Sequence, residues 1–382
     1  NPMADGDSLC PAVDVFAMDL APPKDKWNLI YMTLMLHGLG TLTAWNMFIT
    51  AKPYFVDYKL AGAKEYSNNY LAYVGWASQL PNLLFAWFNV FVKLGGNLTT
   101  RIVWSLIFEV GIFAVTVVLA MLDSSEWPEA FFWVTMVTAF CLNAFNSIFQ
   151  NSVYGLAARL PTKYMGAVVL GSNICGTLVV FLDWATALFD SVRTAAIYYF
   201  IAGMFVLLVC LDTYFALPLN RTLRVNPALA ASNPQADKRI PYGTIFKQSA
   251  LQLYNVFIVF FVTLAVFPSV SPGFLGSNFT RVTCFLTFNL MAMIGNVTAS
   301  LVQFPNPKWL TLFTTIRIVF IPFFLLCNYK PAARTLPVLI NNDYVYWLGA
   351  IIMGWSSGHG SSLGMMYVRH DKVSYCYYIA HK

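Results

Sequence analysis

CFLTFNLMAMIGNVTASLVQFPNPKW, residues Cys284 to Trp309, is too apolar for the surface of a soluble helix, yet it carries polar side chains at regular intervals. Phe285, Asn289, Ala292, Asn296 and Gln303 follow steps of three, four and seven residues, which in a helix place them on one face. The segment has an apolar side for lipid or neighbouring helices and an amide-bearing side for something wetter.

The chain on either side repeats this apolar character. Of 382 residues, 58% are hydrophobic and only 10% charged, far from the roughly 25% charged of an ordinary globular protein, and the mean hydropathy is +0.61. This composition identifies an all-α polytopic membrane protein. Spans of roughly 20 apolar residues, enough to cross about 30 Å of hydrocarbon, recur near residues 27–51, 70–92, 101–122, 130–158, 164–188, 194–218, 246–268, 280–304, 309–328 and 343–367. They predict about ten transmembrane helices.

Residues 1–26 are acidic and proline-bearing without periodicity and read as a disordered cytoplasmic tail. Asp5, Asp7, Asp14 and Asp19 stand where a secretory signal needs a basic region, so the first span is expected to be retained as a signal anchor. Lys and Arg outside the spans favour the N-terminal side by about two to one, which places the N-terminus in the cytoplasm. The longest internal break, Asn220 to Lys247, is basic, contains Pro227, Pro234 and Pro241, and follows the sixth span. It reads as a cytoplasmic linker between two helical halves. The predicted organisation is a tail over 1–26, a six-helix lobe over 27–219, a linker over 220–245, a second lobe over 246–368 and a C-terminal tail over 369–382. Carriers built from two such halves hold solute near the membrane midplane.

Several function classes fall away. The net charge of +6 is spread over many short loops and not gathered in a patch, so no nucleic-acid partner is expected. Seven cysteines, most of them inside apolar spans, show neither a zinc spacing nor a disulfide framework. There is no HExxH, no GxSxG in a strand-turn-helix setting and no phosphate loop; no catalytic residue, metal or cofactor is expected.

Polar side chains inside spans should face the protein interior or a water-filled cavity, because hydrocarbon penalises them. Asn143, Asn146 and Gln150 share a helical face in the fourth span with Tyr154 next along, and Gln79, Asn82 and Asn89 do so in the second. Thr41, Trp45 and Ile49 share a face in the first, where the indole offers a flat surface for a planar ligand. Each stripe alone can be interhelical glue. Together, amides on the second, fourth and eighth spans plus an aromatic on the first suit a neutral, planar, hydrogen-bonding solute better than an ion. Glu109, Asp212 and Arg101 are expected to form a structural ion pair or network. His37 and His359 lie near the middle of the first and tenth spans, either as hydrogen-bonded core histidines or as proton-sensitive gates.

LGTLTAWNMFIT from Leu39 to Thr50, QLPNLLF from Gln79 to Phe85, FNSIFQNSVYGLAARLP from Phe145 to Pro161, VFPSV from Val266 to Val270, CFLTFN from Cys284 to Asn289 and RIVFIPFFLLCNYKP from Arg317 to Pro331 carry a likeness to a known family. The chain resembles the equilibrative nucleoside transporters, solute carrier family 29, from about Trp27 to Lys372. The resemblance implies a major-facilitator-like, two-lobe bundle of eleven helices, and passage of nucleosides and sometimes nucleobases by facilitated diffusion through alternating access. It implies a plasma-membrane protein, with an endolysosomal membrane as the alternative, and a small-molecule nucleoside or nucleobase as partner beside the bilayer, with no obligate protein partner. By position, Leu42 and Trp45 would contact the base, Gln79 and Asn82 would line the site with Asn146 alongside, Gln150 would hydrogen-bond the base, and Phe285 and Asn289 would form the eighth-helix wall.

Two departures qualify it. The family's eighth helix usually reads FNxxDxxGR, and here the acid is Ala292 and the arginine Asn296. Hydrogen bonds to charged groups are worth roughly 1.5–3 kcal/mol each, against about 4–8 kcal/mol for a whole micromolar-to-millimolar binding event. Losing both weakens ordinary nucleoside affinity, while losing both together spares the fold a stranded buried charge. The expectation is a divergent carrier whose site uses Asn289, Asn296, Gln150 and Gln79; a paralogue that no longer transports, or has shifted substrate, and a proton-coupled carrier are the alternatives. The second departure is the end, where SYCYYIAHK from Ser374 to Lys382 is too short and polar to span. About ten of eleven helices are then present, and a truncated C-terminal half would leave Ser356, Ser357 and His359 facing lipid. Of the sequons, at Asn97, Asn220, Asn278 and Asn296, only Asn278 lies on the predicted outer side for use as a glycoprotein site.

Overall fold

A computed structural model describes residues 25–91, 98–158, 160–186, 188–216, 242–266, 286–327 and 337–380. The N-terminal tail to residue 24, most of the linker, Phe285 and the Asn278 sequon lie outside the described residues. Among the described residues the architecture is helical, with ten long segments. They are α1 Leu29–Thr50, α2 Tyr70–Phe91, α3 Leu98–Met121, α4 Pro128–Ala157 and α5 Thr162–Thr186. After these come α6 Val192–Ala216, α7 Tyr242–Val266, α8 Thr287–Leu301, α9 Pro307–Leu326 and α10 Asp343–Ala380. Each apolar span of the sequence overlaps one of them, and α10 continues beyond residue 367, where the pattern ends its span.

Local chemistry sets the boundaries. Pro128 and Pro307 open α4 and α9 at the first helical position, where a missing N–H costs nothing and the fixed φ suits a helix. Asn28, at φ 54°, occupies the left-handed region just before α1 that asparagine tolerates. The turn before α4 is held by Asp123, whose Oδ1 accepts from the Ser125 backbone N–H at 3.1 Å.

Six helices, α3 to α7 and α9, are long and apolar enough to cross a membrane by length and composition. Absent from that set are α1, α2, α8 and α10; α8 is too short for it. Many buried hydroxyls are already satisfied within their own helix: Thr33, Thr116, Thr135, Thr138 and Ser152 each donate to the carbonyl four residues earlier. Such back-bonding lets a hydroxyl sit in an apolar helix without marking a wet face.

The chain divides into two compact units, one of residues 26–159 and 174–234, the other of 1–25, 160–173 and 235–382. In the first, α4 packs on α1, α2 and α3, and α6 on α1 and α3. Its core is aromatic, with Phe55 at 5.8, 6.0 and 6.5 Å ring separation from Phe48, Phe200 and Phe131. Two cations close the end of α3: Lys59 Nζ donates to the Leu122 carbonyl and lies 5.1 Å from the Phe131 ring, and Arg193 Nη2 donates to the Met121 carbonyl. Cations at a helix C-terminus complement its exposed carbonyls and dipole.

In the second unit, α10 packs on α7 and α8, and α9 on α7. The α8–α10 seam is unusually close. A methyl placed on Gly358 would lie 1.9 Å from the Ala292 carbonyl oxygen, and one on Gly295 would lie 2.2 Å from that of Trp355. Helices in lipid associate through such backbone approach, because apolar burial alone does not separate helix from lipid tail.

Candidate functional site

In the first unit the side chains picked out by sequence fall into two groups. One group is already hydrogen-bonded, between helices or within one. Asn146 donates Nδ2 to the Thr41 carbonyl of α1 at 2.8 Å, Asn143 to the Ala139 carbonyl of its own helix at 2.8 Å, and Ser147 Oγ to the Asn82 carbonyl of α2 at 3.0 Å. Asn89 Nδ2 bonds the Phe85 carbonyl at 2.8 Å while its oxygen accepts from Arg101. The other group is open. Gln79 is exposed, and Leu42, Trp45, Asn82 and Gln150 are half-buried. Among the described residues the amides of Gln79, Asn82 and Gln150 make no side-chain hydrogen bond.

The two groups are linked geometrically. The Asn146 bond fixes α4 against α1 one turn from Gln150 on α4 and from Trp45 on α1, and the Ser147 bond brings Asn82 of α2 alongside. Asn46, next to Trp45, gives Nδ2 to the Leu42 carbonyl at 3.0 Å and lies 3.7 Å from Cys175 Sγ. A cavity of about 10 Å³ amid Phe48, Phe131, Phe200 and Thr135 holds one water at most. It does not admit a planar organic solute.

The second unit differs from expectation. Ala292 is 1% exposed and its backbone abuts Gly358. Asn296, 3% exposed, donates Nδ2 to the Val169 carbonyl of α5 at 3.1 Å; its Oδ1 is buried without a partner among the described residues. Asn289 is buried and also has a partner. The amide face of α8 is thus packed within its own unit, because the close α8–α10 seam draws that helix inward. Ser356, Ser357 and His359 are buried too, which corrects the expectation that they face lipid.

The expected ion pair is also corrected. Arg101 bonds Asn89, Asp212 is exposed, and Glu109 is fully buried with neither carboxylate oxygen partnered among the described residues. His359 is a core histidine: Nε2 meets the Phe304 carbonyl at 2.7 Å and Nδ1 the Thr298 hydroxyl at 3.1 Å. The carbonyl can only accept, so Nε2 carries the hydrogen. Trp355 stacks on the ring at 5.1 Å. His37 bonds the Thr33 carbonyl through Nδ1 at 2.7 Å, and its Nε2 is buried without a partner among the described residues.

Two features were not legible as site elements. Arg317, 1% exposed, gives Nη1 to Ser356 Oγ at 3.1 Å and Nη2 to Thr263 Oγ1 at 3.0 Å, and Thr263 in turn meets Ser357 Oγ at 3.1 Å. An arginine inside an apolar span was the available signal. Asn173 on α5 is half-buried and makes no side-chain hydrogen bond among the described residues; its only signal was an amide in an apolar run.

A family model described as nucleoside transporter matches residues 136–244 and 224–374. The chain is 28% identical to equilibrative nucleoside transporter 3 of Rattus norvegicus, over 93% of this chain and 84% of that protein. It is 28% identical to equilibrative nucleoside transporter 2 and 26% identical to equilibrative nucleoside transporter 1, both of Homo sapiens, over 90% of each chain. Among solved structures, tetrameric PepTSo2 gives a TM-score of 0.49 at 14% identity over 90% of this chain and 88% of that one, a likeness too loose to bear on the fold.

Proposed function

The chain belongs to the nucleoside transporter family, and from that premise we propose that it carries nucleosides across a membrane by facilitated diffusion, as a multi-pass transporter and not an enzyme. The observation that carries this reading is the open amide set of Gln79, Asn82 and Gln150, on helices tied beside the half-buried Trp45. An amide within a membrane helix is tolerated where it meets water or a solute, since lipid gives it no partner. A planar base supplies the matching donors and acceptors for the amides and a face for the indole.

The finer architecture is part of the same proposal. The chain is read as a major-facilitator-like bundle working by alternating access, with lobes over 27–219 and 246–368, a linker over 220–245 and about ten helices. Its N-terminus is cytoplasmic and its membrane the plasma membrane, with free nucleobases as a second class of cargo. In the site, Leu42 and Trp45 receive the base, Gln150 hydrogen-bonds it, and Gln79, Asn82 and Asn146 complete the first-unit wall. Asn289, Ala292 and Asn296 are packed within their own unit.

Uptake of radiolabelled uridine and adenosine in oocytes tests the reading. Saturable uptake above uninjected controls supports it. Flat uptake of both, with normal surface expression, sinks the nucleoside assignment.

A further inference from the structure

We propose that a small monovalent anion, such as chloride, binds beside the Arg317 guanidinium as its counter-ion, inside the second unit. Arg317 is the eleventh of the 20 residues of α9, about 15 Å along a helix apolar enough to cross a membrane, and it is 1% exposed. A guanidinium stays charged in a protein. A charge at that depth is costly unless something pairs with it.

No carboxylate of the unit is placed to do so. The sequence has no Asp or Glu from Arg239 to Asn342, so α7, α8 and α9 carry none. The acids of α10, Asp343 and Asp371, lie about 20 Å along that helix from Ser356. Asp25, the remaining described acid of the unit, accepts from Tyr164 at 3.3 Å.

The partners that Arg317 does have are neutral. Nη1 donates to Ser356 Oγ and Nη2 to Thr263 Oγ1, while those hydroxyls donate in turn to the Met353 carbonyl at 3.1 Å and the Val259 carbonyl at 2.7 Å. They spread the charge without cancelling it. Nε is buried without a partner among the described residues. The other buried, unpartnered side-chain atoms described on α7, α9 and α10 are Ser249 Oγ, Gln252 Nε2, Thr311 Oγ1 and Ser362 Oγ, and all four can donate. Asn296 Oδ1, an unpartnered acceptor, lies on α8. The helices that hold Arg317 are thus short of acceptors and enclose one uncancelled positive charge. A doubly charged ion would overcompensate a single guanidinium, so the chemistry suits a monovalent one.

Thermal unfolding of the purified full chain in detergent tests this without recourse to transport. At constant ionic strength, replacing gluconate by chloride up to about ten times its half-saturating concentration is expected to raise Tm by roughly 3–6 °C along a saturating curve. Arg317→Gln should abolish that dependence. Thr263→Val keeps the charge and frees Nη2 for the ion, so it should lower the half-saturating concentration by about threefold or more. A parent Tm that shows no saturating rise with chloride overturns the proposal, as does a rise that persists in Arg317→Gln or a half-saturating concentration unmoved in Thr263→Val. If Arg317→Gln does not fold, the parent and Thr263→Val curves decide the matter by themselves.

Discussion

Replacing Gly358 by alanine places one methyl at the closest point of the second unit. That methyl would sit 1.9 Å from the Ala292 carbonyl oxygen, where ordinary contact begins at 3.4 Å, so the two backbones must part by about 1.5 Å. The obstacle is a helix backbone and not a flexible side-chain end, so no rotamer change relieves it. Overpacking typically costs about 1–3 kcal/mol. Parting the seam also weakens its neighbouring contacts, since a gap of roughly 0.5–1 Å forfeits a quarter to a half of each dispersion well. The expected loss is about 3 kcal/mol. For a unit of this size, that lowers Tm by roughly 6–12 °C. Thermal unfolding of purified protein in detergent reads it directly. Gly111→Ala is the control: nothing lies within 4 Å of a methyl there, and in a helix interior it should stabilise by roughly 0.5–1 kcal/mol. A Gly358→Ala protein melting within about 1 °C of the parent would refute the close-approach account of the seam.

Thr263→Val removes one of the two hydroxyls holding the Arg317 guanidinium and should cost about 1.5–3 kcal/mol, the value of a hydrogen bond to a charged group; an unchanged Tm would argue that the arginine finds another partner. His359→Ala breaks the bonds to Phe304 and Thr298 together and should lower stability by about 2–4 kcal/mol. Full stability with altered uptake would return His359 to the status of a gate. Lys59 holds its proton less firmly than an ordinary lysine, first because of burial and then because of Arg193 nearby. Since the unfolded chain binds that proton more tightly, its contribution to stability rises with pH up to the ordinary lysine value. The Tm difference between the parent and Lys59→Met should therefore grow from about pH 8 to pH 10, and a shrinking difference would contradict a burial-dominated shift.

The helices were legible because length and apolarity define a membrane span, and Pro128 and Pro307 fix helix starts by chemistry that reads directly from sequence. Trp45, Gln79, Asn82 and Gln150 could be singled out because polar spacing marks a helical face. The same spacing could not say which amides were already spent. Asn146 and Asn296 look like Gln150 in sequence, yet each is committed to a carbonyl on another helix. Nor could spacing show that Ala292 is pressed on α10, since Gly358 lies sixty-six positions away and backbone approach leaves no periodic trace. The predicted ion pair failed because charge complementarity alone does not bring Arg101, Glu109 and Asp212 within reach of one another.

The bonds that tie these helices together share a form with a consequence for how the protein can vary. Asn146 holds the main chain at Thr41, Ser147 that at Asn82, Asn296 that at Val169, Tyr199 that at Met47, and His359 that at Phe304. In each, only the donor is specified by a codon, because every residue type supplies the accepting carbonyl. Position 41 or 169 can therefore drift in side-chain identity without breaking the tether, provided the backbone stays in place. Paired substitutions will not mark these contacts, and a search for correlated changes between helices will pass over them. The donors, taken singly, are where the constraint will be found.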